Sequence, residues 1–187
     1  NYKLYDDCVP PSILATGLPG TGKSFCIEQI SKIGEIMGIG KIIKVSYMGV
    51  AAVNIGGNTI NSLMKIGTVP GDEDTTMSPL SEQHLLELRL QLGLNNVQSK
   101  MPFFVVDEIS MKTPSLLAMI SFRLCQATGV NQPFSGIANA LFGDFAQLPP
   151  VMDKPMFHSG KLNDNQRIGS LLYELFDKAV IFNQIIL

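Results

Sequence analysis

Short apolar runs alternate with amphipathic stretches along most of this 187-residue chain. Apolar runs at residues 12–15, 41–46, 103–106, 137–142 and 179–182 predict β-strands, and the stretches between them favour helices. Strands that alternate with helices are typical of a parallel sheet. The expected fold class is therefore α/β, a mainly parallel sheet flanked by helices on both faces.

The helix predictions follow from capping residues and periodicity. Helices are expected from residue 23 to about 37, within residues 49–55, after a cap at Asn58 or Thr59, from Ser78-Pro79 onward, from Pro114 to just before Gly129, and over residues 170–176. In the helix that begins at Pro114, Arg123 is expected on the surface. Residues 67–77 are predicted to form a solvated loop.

The strongest motif is Gly-Leu-Pro-Gly-Thr-Gly-Lys-Ser at residues 17–24, which fits the phosphate-binding pattern G-x-x-x-x-G-K-[ST]. It lies between a predicted strand and a predicted helix, which is the context that this loop requires. Backbone amides and the helix N-terminus would hold the phosphates of ATP. The predicted nucleotide-binding residues are Gly17, Pro19, Gly20, Thr21, Gly22, Lys23 and Ser24. The alternative is a chance glycine-rich turn.

Lys23 and Ser24 have separate predicted roles within this loop. Lys23 would reach the β- and γ-phosphates, and the Ser24 hydroxyl would ligate Mg²⁺. ATP and Mg²⁺ are therefore the expected cofactors.

Two carboxylates follow the predicted strand at residues 103–106. In a parallel sheet, ligands bind at the carboxyl ends of the strands, where Asp107 and Glu108 would lie. Asp107 suits the Mg²⁺ shell, and Glu108 suits orienting and activating the attacking water. The alternative is an acidic pair that merely ends a strand.

A further carboxylate and an amide follow the strand predicted at residues 137–142. Asp144 and Gln147 would lie on the same sheet edge as the phosphate loop and could contact the γ-phosphate or the attacking water. The alternative is a surface loop stiffened by Pro149 and Pro150.

Composition narrows the context of this domain. Charged residues are 16% and hydrophobic residues 45%, with a positive mean hydropathy of 0.22, which predicts apolar surface that meets a partner domain. Together with the ends at Asn1 and Leu187, this favours a fragment of a larger protein. A net charge of −2 indicates that any nucleic-acid surface is local.

Three widely spaced cysteines are expected to be buried thiols. No membrane span or signal peptide is visible in the sequence, so an intracellular protein is expected.

Three segments together resemble motifs I, II and III of the Pif-type DNA helicases, relatives of RecD in superfamily 1. They are residues 20–24, residues 107–111 (Asp-Glu-Ile-Ser-Met) and residues 143–151 (Gly-Asp-Phe-Ala-Gln-Leu-Pro-Pro-Val), and residues 49–64 resemble motif Ia. The chain departs from the family pattern at Ser46-Tyr47-Met48-Gly49, where Ala-Pro-Thr-Gly is usual, and at Asn61, where histidine is usual. Phe134-Ser135-Gly136 replaces Phe-Gly-Gly.

The resemblance implies a single RecA-like ATP-binding domain over residues 1–187. It implies catalytic roles for Lys23, Glu108 and Gln147, and contact with single-stranded DNA through Gly49, Thr59, Asn61 and Ser62.

The implied activity is an ATP-driven motor that moves 5′→3′ on single-stranded DNA and unwinds duplexes. A second RecA-like domain would supply arginine fingers. DNA repair, recombination and telomere maintenance are the implied processes, in the nucleus or mitochondrion of a eukaryote or the cytoplasm of a bacterium. Two alternatives remain: the motor domain of a RecD subunit or conjugative relaxase, and a non-motor P-loop ATPase or kinase.

Overall fold

The computed structural model describes residues 10–67, 77–95, 98–109, 113–144 and 160–185. Within these ranges the strands are β1 (Ser12–Gly17), β2 (Ile42–Ser46), β3 (Asn58–Thr59), β4 (Phe103–Asp107), β5 (Asn139–Gly143) and β6 (Lys178–Phe182). The helices are α1 (Lys23–Met37), α2 (Gly49–Asn54), α3 (Ile60–Met64), α4 (Glu82–Gln91), α5 (Pro114–Thr128) and α6 (Asp164–Tyr173).

The strands form one sheet in the order β3-β2-β4-β5-β1-β6, and every pairing is parallel. β5 lies between β1 and β4, so the carboxyl ends of these three strands are neighbours along one edge. The residues that follow them, Leu18, Glu108 and Asp144, therefore start from adjacent positions.

Side chains of alternate strand residues pack on opposite faces of the sheet. Phe104, Val106 and Leu141 belong to a core shared with α3, α4, α5 and α6. Val105 and Phe142 belong to a second core with Ile27 of α1. The predicted α/β fold with helices on both faces is confirmed.

Most element boundaries match the sequence predictions, and two helix starts were wrong. α4 begins at Glu82 because Ser81, not Ser78, is the N-cap, with its Oγ accepting a hydrogen bond from the His84 N–H at 3.3 Å. α6 begins at Asp164 rather than residue 170, where Asn163 and Gln166 form a reciprocal capping box.

The surface position expected for Arg123 was also wrong. Its side chain is only 5% exposed, and its Nε donates to the Met64 carbonyl at 3.1 Å. Nη1 donates to the Ser78 carbonyl at 2.7 Å and to Oε1 of Gln126 at 2.8 Å. Burial lowers the pKa of this guanidinium. Arg123 thus ties α5 to the end of α3 and to the chain that leads into α4.

The cysteines are less buried than expected. Cys26 and Cys125 are both half-buried, and Cys8 lies outside the described residues. Burial raises the pKa of the Cys26 thiol.

Candidate nucleotide-binding site

The loop between β1 and α1 has the backbone conformation of a phosphate-binding turn. Gly20 and Gly22 have φ angles of 76° and 89°, a left-handed region that glycine adopts without strain. Gly22 is the N-cap of α1 and contributes no side-chain hydrogen bond. The first amides of α1 are therefore not capped by a side chain, as an anion site at a helix N-terminus requires.

Gly17 is required for close packing rather than for its φ angle. A Cβ at this position would lie 2.5 Å from the Phe182 carbonyl oxygen and 2.9 Å from Oγ1 of Thr21. Thr21 is buried and donates a hydrogen bond to the Leu18 carbonyl at 2.7 Å. The loop is thus supported from one side by β6 and from within by Thr21.

The Lys23 ammonium lies inside the loop. The side chain is 9% exposed, and Nζ donates to the Gly17 carbonyl at 2.5 Å and to the Leu18 carbonyl at 2.9 Å. The structure therefore concentrates positive charge where the sequence predicts phosphate binding.

Asp107 ends β4 as a carboxyl that is 4% exposed, and its Oδ1 accepts a hydrogen bond from the Glu108 N–H at 3.0 Å. Burial raises the pKa of Asp107 to about 6, and the charge of Glu108 acts in the same direction. The Glu108 amide and the Lys23 charge oppose this pKa shift. The carboxyl is therefore poised to bind either a proton or a cation.

Glu108 has two unusual features. Its φ is +58°, a left-handed conformation that is costly for a residue with a Cβ. Its Oε2 is buried and has no hydrogen-bond partner among the described residues. Strain and an unpaired carboxylate oxygen at one residue are typical of a functional position.

The predicted phosphate loop and the two carboxylates line the same pocket, which has a volume of about 570 Å³. Its lining residues are Pro19, Gly20, Gly22, Lys23, Ser24, Phe25, Asp107 and Glu108. Gly17 and Thr21 shape the loop from behind without lining the pocket. Phe25 was missed because the motif ends at Ser24. The clue available in the sequence was an aromatic residue directly after the motif, and the structure shows that Phe25 is 63% exposed.

Asp144 directly follows β5 and is buried. It lies between the ends of β1 and β4 in the sheet order, although it does not line the pocket. Gln147 lies outside the described residues.

The residues predicted to contact DNA lie at the opposite end of the same sheet edge. β3 is separated from β1 by four strand spacings, about 19 Å at 4.8 Å per strand. Gly49 and Ser62 are exposed, and Thr59 and Asn61 are half-buried. Oγ1 of Thr59 accepts a hydrogen bond from the Ser62 N–H at 3.3 Å and caps α3. These four residues do not join the nucleotide pocket.

The pocket and the sheet together define a class of protein. A phosphate loop after β1, two carboxylates at the carboxyl end of β4 and a strand between β1 and β4 make a RecA-like P-loop nucleotide-binding domain. A family model described as PIF1-like helicase matches residues 8–163. The chain belongs to the PIF1-like helicase family.

Individual relatives agree with this assignment. The chain is 37% identical over 147 residues to the ATP-dependent DNA helicase PIF1 of Saccharomyces cerevisiae, an alignment that covers 77% of this chain and 16% of the yeast protein. Unliganded Pif1 from Bacteroides sp. matches with a TM-score of 0.65 and 28% identity, over 99% of this chain and 40% of that one. Bacteroides Pif1 in complex with ADP-AlF3 and single-stranded DNA matches with a TM-score of 0.61 and 27% identity, over 98% and 40%. The chain therefore spans well under half the length of these proteins.

Proposed function

We propose that this chain is the first motor domain of an ATP-dependent DNA helicase that moves 5′→3′ on single-stranded DNA, with residues 1–187 as one RecA-like domain. The observation that supports this most is the convergence of the phosphate loop with Asp107 and Glu108 in one pocket. Membership of the PIF1-like helicase family supports the choice of a DNA motor over other P-loop enzymes.

Mg²⁺ fits the donor atoms of this pocket. Ser24 offers a hydroxyl oxygen and Asp107 a carboxylate, both on the pocket wall, and hard oxygen donors are what Mg²⁺ prefers. The raised pKa of Asp107 indicates a buried carboxyl that lacks enough positive charge nearby, which a divalent cation would supply. When bound, Mg²⁺ would neutralise charge on the phosphates of ATP.

Phosphate binding, activation of the attacking water and detection of the γ-phosphate would be carried out by groups of the protein itself. The loop amides and the Lys23 ammonium would hold the phosphates. Oε2 of Glu108, buried and without a partner among the described residues, would accept a hydrogen bond from the attacking water and then its proton. Asp144 and Gln147 would report the state of the γ-phosphate to the rest of the molecule.

Single-stranded DNA would bind at Gly49, Thr59, Asn61 and Ser62. The complex of Bacteroides Pif1 with single-stranded DNA supports DNA as the partner of this family member. Because Gly49 follows β2 and the other three residues lie at β3 and α3, they are three to four strand spacings from the phosphate loop. DNA and ATP would therefore occupy separate surfaces of one domain.

A second RecA-like domain of the same full-length protein would cover the open side of the pocket and supply arginine fingers. Leu18 of the phosphate loop and Phe25 of the pocket wall are 52% and 63% exposed, which suits a surface that another domain covers.

DNA as substrate places the proposed protein inside the cell, in the nucleus or mitochondrion of a eukaryote or the cytoplasm of a bacterium. DNA repair, recombination and telomere maintenance are the processes proposed for it. Among the helices in the described part of the chain, none has the length and apolar character needed to cross a membrane.

Substitutions of Lys23 and Glu108 in the full-length protein test this function. Lys23→Ala is expected to abolish DNA-stimulated ATP hydrolysis and weaken nucleotide binding. Glu108→Gln is expected to bind nucleotide at near-parent affinity while turnover falls at least about 100-fold, because only water activation is lost. Phosphate release and binding of a fluorescent ATP analogue would be measured with and without oligothymidine.

Lys32→Ala is the matched control, since Lys32 is an exposed lysine of the same helix that pairs with Glu28. It should behave as the parent. Parent-rate hydrolysis by Glu108→Gln would contradict the role of Glu108. Hydrolysis that does not respond to DNA would favour a non-motor ATPase.

A further inference from the structure

Ser46, the last residue of β2, carries a buried hydroxyl that the roles proposed so far do not use. The residue is 0% exposed, and its Oγ has no hydrogen-bond partner among the described residues. A buried hydroxyl without a partner is unfavourable for folding, so a residue chosen only for packing would be alanine here.

The sheet places Ser46 directly beside Asp107. The two residues are Cα partners in the parallel pairing of β2 with β4, on strands about 4.8 Å apart. Partners in such a ladder project from the same face of the sheet.

That face is the one covered by α1. Ile42 and Val105, which precede Ser46 and Asp107 by an even number of residues, both pack in the core that contains Ile27 of α1. The Ser46 hydroxyl and the Asp107 carboxyl therefore lie on the side of the sheet that carries the phosphate loop.

The chemistry of the pair is complementary. Asp107 accepts one hydrogen bond from the Glu108 amide through Oδ1, which leaves acceptor capacity on its carboxyl group. Ser46 offers an O–H donor one strand spacing away. A rotation of the Ser46 side chain about χ1, or one bridging water, would join the two groups.

We propose that Ser46 is a positioning residue of the metal site. When Mg²⁺ is bound, the Ser46 hydroxyl would donate a hydrogen bond to the Asp107 carboxylate, directly after side-chain rotation or through one water, and hold it in the orientation that binds the ion. This inference rests on the proposed function, because it assumes that Asp107 belongs to the metal shell. It adds a residue from β2 to a site otherwise built from β4 and the phosphate loop.

Ser46→Ala in the full-length protein separates this role from a structural one. Removing an unpaired buried hydroxyl should leave the thermal midpoint without metal unchanged or raised. The Mg²⁺ concentration for half-maximal binding of a fluorescent ATP analogue should rise about 3–10-fold, the effect of losing one hydrogen bond. Nucleotide binding in excess EDTA should not change, and Ser46→Thr should recover Mg²⁺ affinity.

Ser170→Ala is the matched control. Oγ of Ser170 is likewise buried without a partner among the described residues, but α6 packs on the opposite face of the sheet. This variant should keep the parent's Mg²⁺ dependence. A Ser46→Ala protein with parent Mg²⁺ dependence, whatever its thermal midpoint, would overturn the inference.

Ser24→Ala and Asp107→Asn distinguish this failure from failure of the proposed metal site. If both variants raise the Mg²⁺ concentration needed for half-maximal nucleotide binding and Ser46→Ala does not, the inference alone is wrong. If neither variant changes this Mg²⁺ concentration, the proposed Mg²⁺ site is wrong, and the inference about Ser46 is wrong as well.

Discussion

At the scale of single residues, the buried carboxyl of Asp107 links stability to pH. Its pKa is about 6 in the folded protein and about 3.8 in an unfolded chain, so between these values the folded state binds more protons. Its contribution to stability is therefore fully present below pH 4 and is lost as pH rises through about 6. At neutral pH the ionised carboxylate destabilises the fold in the absence of a cation.

Asp107→Asn is accordingly expected to increase the free energy of unfolding at pH 7 without Mg²⁺. The expected gain is about 1–3 kcal/mol, because the folded and unfolded pKa values of Asp107 differ by about 2 and a tenfold change in proton affinity corresponds to about 1.36 kcal/mol. Urea unfolding at pH 7 and at pH 3.5 measures it, and the gain should disappear at the lower pH. Asp177→Asn, at an exposed position, is the control. A gain of equal size at both pH values would contradict the pKa explanation.

Sequence motifs predicted those residues of the candidate site that are close to one another both in the chain and in space. The phosphate loop and the Asp107-Glu108 pair are of this kind. The adjacency of Ser46 to Asp107 depends on the strand order, which no local pattern gives. The left-handed φ of Glu108 likewise depends on the surrounding fold, because the residue type disfavours it.

At the scale of elements, helix ends were predictable where proline or glycine marks them. α1 ends before Gly38 and α5 runs from Pro114 to the residue before Gly129. The start of α4 was predicted wrongly because both Ser78 and Ser81 are residue types that favour the N-cap position, and the structure uses Ser81. Arg123 was misplaced because its partners, Met64 and Ser78, come from distant parts of the chain.

The contact between α5 and α6 gives an element-scale prediction. A Cβ on Gly169 would lie 1.7 Å from the Pro114 carbonyl oxygen, a backbone atom that cannot rotate away. Gly169→Ala should therefore force α6 away from α5 and destabilise the protein by about 1–3 kcal/mol or more, despite the higher helix propensity of alanine. Urea unfolding measures this effect.

Gly34→Ala is the comparison, because a Cβ there would meet only side-chain atoms, those of Ile42 and Ile39, which can adjust. The change in the free energy of unfolding should be small, because the higher helix propensity of alanine stabilises α1 while crowding against the neighbouring side chains destabilises it. Equal costs for the two variants would show that α6 does not pack as closely on α5 as described.

At the scale of the whole molecule, the open pocket predicts what the 187-residue chain does alone. It should fold and bind Mg²⁺–nucleotide weakly, without DNA-stimulated hydrolysis at a useful rate. In related phosphoryl-transfer enzymes an arginine finger contributes about 10³–10⁵ in rate. Phosphate release by the purified chain, with saturating Mg²⁺–ATP and with or without single-stranded DNA, provides the measurement. Robust DNA-stimulated turnover would contradict the two-domain proposal.

The position of β1 in the sheet has a consequence for how the domain is made. Ile13 of β1 pairs with Ala140 of β5 and Lys178 of β6, so the strand that carries the phosphate loop finds its partners only late in synthesis. At a synthesis rate of about 5–20 residues per second, the apolar side chains and unpaired backbone N–H and C=O groups of β1 remain without their partner strands for on the order of ten seconds. During translation this strand is therefore open to misassociation, and we expect chaperones to bind it until β5 and β6 have been synthesised.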